Sequence, residues 1–304
     1  MCADKVNRVT RVAPRGIAFF LMVLVTVLWG STFPLVKELV AQISPALMLA
    51  ARFTVAAAVL VPWLRRATKA LWLEGTLLGG VLFASYWTQA IGMTTIPSGR
   101  AAFITGLNVI LVPLMLPFLK RRVPWPAFVA AGLALGGIGL MSLNGVTLEF
   151  AIGDLWVLGC AFSYAVYILL VDRAVTRHAT LPLAAVQISV VCILGWLTAA
   201  PEIIGGSSLS GLLEFWPQLV FLGVMATALT TLMQGYAQRF LAAFQIATLS
   251  ALEPVWAAIF GYFLLGERLS ERGLIGAGLI LLAMVLSQVD PQANQRAARE
   301  ISPQ

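Results

Sequence analysis

Ten apolar runs of about twenty residues each divide this chain, near 16–36, 45–64, 71–92, 98–119, 124–143, 153–171, 182–200, 215–236, 243–265 and 272–289. A hydrocarbon core about 30 Å thick takes about 20 residues at 1.5 Å rise each. Lipid offers no hydrogen-bond partners, so such runs must bond their own backbone and become helices. The runs are separated by turn and charge signals: Ser44-Pro45, Arg65-Arg66, Pro97-Ser98-Gly99, Lys120-Arg121-Arg122 and the stretch from Pro201 to Ser210. The expected fold is therefore all-α and integral to a membrane. Only 11% of the 304 residues are charged, against about 25% in a soluble domain, and the length leaves no room for a separate soluble enzyme domain. The basic N-terminus followed by an apolar run resembles a signal peptide. The run continues through Trp29 to Val36 without a small-residue cleavage site, and it is read as a retained first helix.

Charge placement sets the expected orientation. With the N-terminus inside, fifteen lysines and arginines fall on the cytoplasmic side and four outside (Lys37, Arg100, Arg268, Arg272), with Arg52 left within a helix. That bias places both termini in the cytoplasm and depends on a crossing number of ten. The net charge of +7 sits in short clusters between apolar runs, which argues against a nucleic-acid partner. Cys160 and Cys192 lie in apolar runs and Cys2 at the terminus, so no disulfide framework is expected.

A weak internal repeat runs through the chain. Gln89 and Gln234 are 145 positions apart, and Leu107-Asn108-Val109 falls opposite Leu252-Glu253-Pro254 at the same offset. Ala131-Gly132-Leu133 falls opposite Ala277-Gly278-Leu279 at 146, and Arg52-Phe53 opposite Gln187-Ile188 at 135. Five helices per half is an odd number, so the second half enters the membrane from the opposite side. Inverted halves with a site at their interface near mid-membrane are the common build of secondary transporters.

Trp29-Gly30-Ser31-Thr32-Phe33, Ala51-Arg52-Phe53, Leu252-Glu253-Pro254-Val255 and Leu265-Gly266-Glu267-Arg268-Leu269, in this order and with this duplication, resemble the EamA-type branch of the drug/metabolite transporter superfamily. The resemblance spans about Gly16 to Gln288. It implies a cytoplasmic N-terminal tail over 1–15, a first five-helix repeat over 16–143, a second over 153–289 and a cytoplasmic tail over 290–304. It further implies a carrier in the cell inner membrane, often an exporter of amino acids or related metabolites, without a cofactor. Lys120-Arg121-Arg122 stands where the second repeat has Gly266-Glu267-Arg268, a departure from simple symmetry of the two loops.

A charge retained at the bilayer centre is either paired or functional. Glu253, before Pro254, is a candidate proton carrier or ligand for a substrate ammonium; the alternative is a buried carboxylate bonded to a neighbouring helix. Arg52 suits a substrate carboxylate, or else pairs with a helix end or Glu253, or snorkels. Asn108, the repeat mate of Glu253, suits substrate hydrogen bonding or interhelical contact. Tyr86, Trp87 and Gln89, with Gln234 and Gln245, are candidate cavity residues, set against the interfacial aromatic belt. Trp29 and Thr32 are gate candidates, set against simple packing. Glu74 is expected among headgroups, and His178, the single histidine, in solvent. Gly132, Gly136 and Gly276 allow close helix contact within a monomer or in a homodimer. The chain lacks GxxxxGK[ST], HExxH, GxSxG and any metal-ligand set, which turns the reading from pumps and membrane enzymes to a secondary carrier; a channel is the remaining alternative. Amino acids or hydrophobic solutes, export or uptake, and protons as the coupling ion all stay open.

Overall fold

The computed structural model describes residues 2–121, 123, 125–142, 151–206, 210–265 and 271–288. Every regular element among them is helical: α1 Cys2–Gln42, α2 Pro45–Leu60, α3 Lys69–Thr95, α4 Ser98–Thr105, α5 Asn108–Met115, α6 Trp125–Ser142, α7 Ile152–Arg177, α8 Thr180–Ile204, α9 Ser210–Glu214, α10 Trp216–Gly223, α11 Thr230–Ala237, α12 Ala243–Ser250, α13 Glu253–Leu265 and α14 Glu271–Gln288. Seven helical stretches are long and apolar enough to cross a membrane: Pro14–Gln42, Pro45–Arg66, Ser98–Leu119, Ile152–Arg177, Thr180–Ile204, Trp216–Ala237 and Ala243–Phe260. Gly266 through Leu269, Arg122 and the 290–304 tail lie outside the described residues.

The expected breaks act as helix signals. At Ser44-Pro45 the Ser44 hydroxyl accepts the Leu47 N–H at 3.2 Å, and Pro45 opens α2, where its missing donor costs nothing. Thr68 caps α3 in the same way through the Leu71 N–H at 3.3 Å. The first helix begins at Cys2, well before the first apolar run; a helix bonds itself internally and can outrun the lipid that selects its apolar part.

Three of the expected runs are interrupted within their length, and a fourth, 45–64, ends in a 3₁₀ turn over Val61–Arg66. The run 98–119 breaks at Gly106-Leu107 and the run 243–265 at Ala251-Leu252. The two breaks share one geometry: Leu107 donates to the Ile104 carbonyl at 3.1 Å and Leu252 to the Leu249 carbonyl at 3.0 Å, bonds of the tighter 3₁₀ kind. Pro254 explains the second, because a proline ring collides with the carbonyl four residues earlier and cannot donate. The third run, 215–236, contains a π-helical turn over Val224–Leu229.

Helices from the two halves of the chain interleave. α3 packs along α7 and α8, α2 along α8 and α10, α1 along α11 and α13, and α6 along α14. One contact occurs twice. A Cβ on Gly79 would lie 2.7 Å from the Gln187 carbonyl and 2.6 Å from the Val190 Cβ. A Cβ on Gly223 would lie 2.7 Å from both the Arg52 carbonyl and the Val55 Cβ. Gln187 and Val190 each sit 135 positions after Arg52 and Val55, so both glycines admit the same close crossing with the halves exchanged. α6 and α14 meet through Gly137, whose Cβ would lie 2.5 Å from the Gly276 carbonyl.

Large apolar side chains face outward, among them Phe20, Leu73, Phe118, Ile204 and Leu274, while Arg52, Asn108, Gln187, Gln234, Gln238, Gln245 and Glu253 are buried. An apolar outside, with polar groups held within a largely apolar core, departs from the arrangement of a soluble domain. His178 departs from the expectation of a solvated residue, whereas Glu74 is partly exposed. Arg177 Nη1 lies 2.5 Å from Glu74 Oε1, and His178 Nε2 3.4 Å from Glu74 Oε2, with the His178 side chain only 11% exposed.

Candidate functional site

Eleven side chains line one cavity between the halves: Trp29, Thr32 and Phe33 from α1, Arg52 from α2, Ser85, Tyr86 and Gln89 from α3, Thr105 from α4, Cys160 and Tyr164 from α7, and Glu253 from α13. It holds about 40 Å³ of water-accessible space, room for about three waters. Both break-bearing runs reach it. Thr105 closes α4 just before Gly106-Leu107, and Glu253 opens α13 just after Ala251-Leu252.

Arg52 is 2% exposed, and it is held by neutral partners. Its Nε donates to Thr227 Oγ1 at 2.7 Å and its Nη2 to the Ala226 carbonyl at 3.2 Å. One face of the guanidinium lies 4.7 Å from the Tyr86 ring centre, a cation–π contact. A guanidinium carries five N–H groups, and two of them are used in the bonds to Thr227 and Ala226. Among the described residues no carboxylate lies within ion-pair distance of Arg52; its neighbours are a hydroxyl, a carbonyl and two rings.

Glu253 is 7% exposed. Its backbone carbonyl is pressed against Gly30, whose Cβ would lie 2.9 Å away and 2.6 Å from the Trp256 Cβ. Trp256 Nε1 donates to Thr26 Oγ1 at 3.1 Å, tying α13 to α1. Trp29 Nε1 donates to the Ala226 carbonyl at 3.3 Å, and its ring meets Tyr164 edge-on at 5.7 Å. The Tyr164 hydroxyl donates to Gln234 Oε1 at 3.0 Å, Gln234 Nε2 to Gln238 Oε1 at 3.1 Å, and Gln238 Nε2 to the Ile168 carbonyl at 2.8 Å.

Of the residues singled out in the sequence, Glu253, Arg52, Gln89, Tyr86, Trp29 and Thr32 line the cavity, and four do not. Trp87 stacks on Phe83 at 5.9 Å; it is a single residue, about 100°, around the helix from Tyr86. Gln234 lies behind Tyr164. Gln245 Oε1 accepts the Ala242 N–H at 3.0 Å at the start of α12. Asn108 is 1% exposed, and its Oδ1 has no hydrogen-bond partner among the described residues. Phe33, Ser85, Thr105, Cys160 and Tyr164 were missed. Ser85, Tyr86 and Gln89 share one face of α3 at i, i+1 and i+4, and the same spacing joins Cys160 to Tyr164 on α7. That periodicity was available in the sequence and also separates Trp87 from the group.

The profile of the EamA-like transporter family matches residues 16–143 and again 151–288. An uncharacterized transporter of Archaeoglobus fulgidus is 27% identical over 87% of this chain and 83% of its own length. The threonine/homoserine exporter RhtA of Escherichia coli is 27% identical over 83% of this chain and 82% of its own. A probable terminal-alkyne amino-acid exporter of Streptantibioticus cattleyicolor is 25% identical over 88% and 92%. A solved crystal structure matches with a TM-score of 0.72 at 21% identity, covering 92% of this chain and 98% of the other, which is a likeness of fold. With two copies of the family domain spanning most of its length, this multi-pass membrane protein belongs to the EamA-like transporter family.

Proposed function

We propose that the chain is a secondary carrier that exports amino acids or related zwitterionic metabolites across the inner membrane by alternating access, coupled to protons through Glu253. The observation that carries this reading is the pairing of Arg52 and Glu253 on one buried cavity. A guanidinium with donors to spare suits a carboxylate, and a carboxylate on the same cavity suits an ammonium or a proton. Trp29, Phe33, Tyr86 and Tyr164 supply an apolar wall for the side chain of the solute. Two relatives carry names of amino-acid exporters, which favours export over uptake.

The membrane arrangement belongs to the same proposal. α3, α6 and α14 join the seven apolar stretches to make ten crossings, in two inverted halves of five, with both termini in the cytoplasm. α3 has 27 residues, about 40 Å of helix; its cavity-facing Ser85, Tyr86 and Gln89 lower its hydropathy without shortening it. The exchanged crossings at Gly79 and Gly223, and the paired breaks before Asn108 and Glu253, support a two-fold relation between the halves. Alternating access requires the cavity walls to part, and the 3₁₀ breaks are natural hinges for that movement.

Overexpression in cells challenged with toxic concentrations of single amino acids tests this directly. Resistance to particular amino acids, lost with Glu253→Ala at equal membrane abundance, is the expected result. Sensitivity equal to that of the variant across the whole panel contradicts it.

A further inference from the structure

The second half of the chain carries one residue more than the first in the helix that faces Arg52. Gly79 and Gly223 make equivalent crossings and stand 144 positions apart, whereas Asn108 and Glu253, which follow equivalent breaks, stand 145 apart. The π-helical turn Val224–Leu229 lies between Gly223 and Gln234. The matching part of α3 is regular α-helix. One extra residue absorbed within a helix widens a single turn to the π register, and here the widened turn faces Arg52.

The local chemistry is directional. Thr227 Oγ1 lies 2.7 Å from the Leu222 carbonyl, five residues back, and 2.7 Å from Arg52 Nε. A hydroxyl has one proton. It goes to Leu222, since Arg52 Nε can only donate, and a lone pair is left for Arg52. The Ala226 carbonyl in the same turn accepts Arg52 Nη2 and Trp29 Nε1. Gly223, just before the turn, lets α10 approach the backbone of Arg52 itself. The segment from Gly223 to Thr227 thus holds Arg52 by its main chain, its Nε and its Nη2.

We infer that Thr227 is a positioning residue and that the π-helical turn orients the Arg52 guanidinium toward the cavity, as a symmetry-breaking device present in the second half alone. Thr227 touches no solute; it acts through Arg52. The substrate arm of the test rests on the carboxylate reading above, and a spectroscopic arm does not.

The protein is labelled with ¹⁵N at arginine Nε, and the Arg52 signal is assigned by its loss in Arg52→Lys. Slow exchange of that N–H with water in the wild type, abolished by Thr227→Val and kept by Thr227→Ser, is expected. Unchanged exchange in Thr227→Val overturns the inference. In proteoliposomes, Thr227→Val should raise the half-saturating concentration of labelled L-threonine about tenfold with maximal flux within about twofold, and Thr227→Ser should restore it. In an Arg52→Lys background Thr227→Val should add nothing. A fall in flux with unchanged half-saturation, or additive effects in the double variant, marks a role in folding alone and contradicts the proposal. Wild-type protein inert toward L-threonine and every other amino acid refutes the proposed substrate class, and the exchange measurement then decides the role of Thr227 by itself.

Discussion

Asn108 and Glu253 each stand as the first residue of a helix that resumes after a two-residue break, 145 positions apart. Both are buried, but only Glu253 reaches the cavity. In the interrupted run of the first half, the residue that does so is Thr105, on the other side of its break. The halves therefore share a backbone device and differ in the side chain each presents, and an asymmetric solute can use that difference. The following outcomes are expected from this arrangement.

Glu253→Gln keeps the size and hydrogen-bonding reach of the side chain and removes its proton exchange. Solute exchange without a gradient should persist, while accumulation driven by an imposed pH gradient should disappear. Flux into proteoliposomes with and without the gradient measures both. A wild-type response to the gradient in the variant removes Glu253 from coupling.

Arg52→Lys replaces a planar fork with a point charge. The bonds to Thr227 and Ala226 cannot both be kept at their present geometry. Half-saturation should rise at least about tenfold, about 1.4 kcal/mol, for solutes with a carboxylate. Solutes whose carboxylate is converted to an amide should change by less than about twofold. Equal losses for both classes would mean that Arg52 supports the fold rather than the ligand.

Gly137 and Gly136 are neighbours with opposite expectations. A Cβ at 137 meets the Gly276 carbonyl at 2.5 Å, whereas one at 136 has nothing within 4 Å. Gly137→Ala should force α6 and α14 apart and cost about 1–3 kcal/mol, read as a lowered melting temperature in detergent. Gly136→Ala should stay within about 0.5 kcal/mol of the wild type. Equal effects would contradict the α6–α14 crossing.

Asn108 Oδ1 is buried and without a hydrogen-bond partner among the described residues, so Asn108→Leu should leave the melting temperature unchanged or raise it. A normal melting temperature with transport lowered about tenfold would mark Asn108 as a group used in another conformation of the cycle. Normal transport would leave it as packing.

Much of the fold was legible because it follows from lipid itself. Apolar runs of about twenty residues must be helices, and Ser44-Pro45 ends one and starts the next through an ordinary cap. Glu253 and Arg52 were legible because ionised groups in apolar runs are costly. The interruptions were harder to see. Pro254 signalled a kink, but nothing local announces the break at Gly106-Leu107 or the π turn at Val224–Leu229. Both depend on how two distant segments pack. The single-residue drift from 144 to 145 between the halves was present as a number, but it acquires meaning only when Gly79 and Gly223 are seen in equivalent crossings. Thr105, Cys160 and Tyr164 escaped notice because a threonine, a cysteine or a tyrosine in an apolar run costs little and so draws no attention. Glu74, His178 and Arg177 were read separately, since the approach of α3 to the end of α7 leaves no trace in spacing.

The most direct test of a carrier built around Arg52 and Glu253 is counterflow of labelled L-threonine in liposomes holding the purified protein. Saturable uptake of label, driven by unlabelled amino acid inside and reduced at least about tenfold by Arg52→Leu, is the predicted result. Flux that rises linearly with concentration, or that is indifferent to Arg52, would contradict the account.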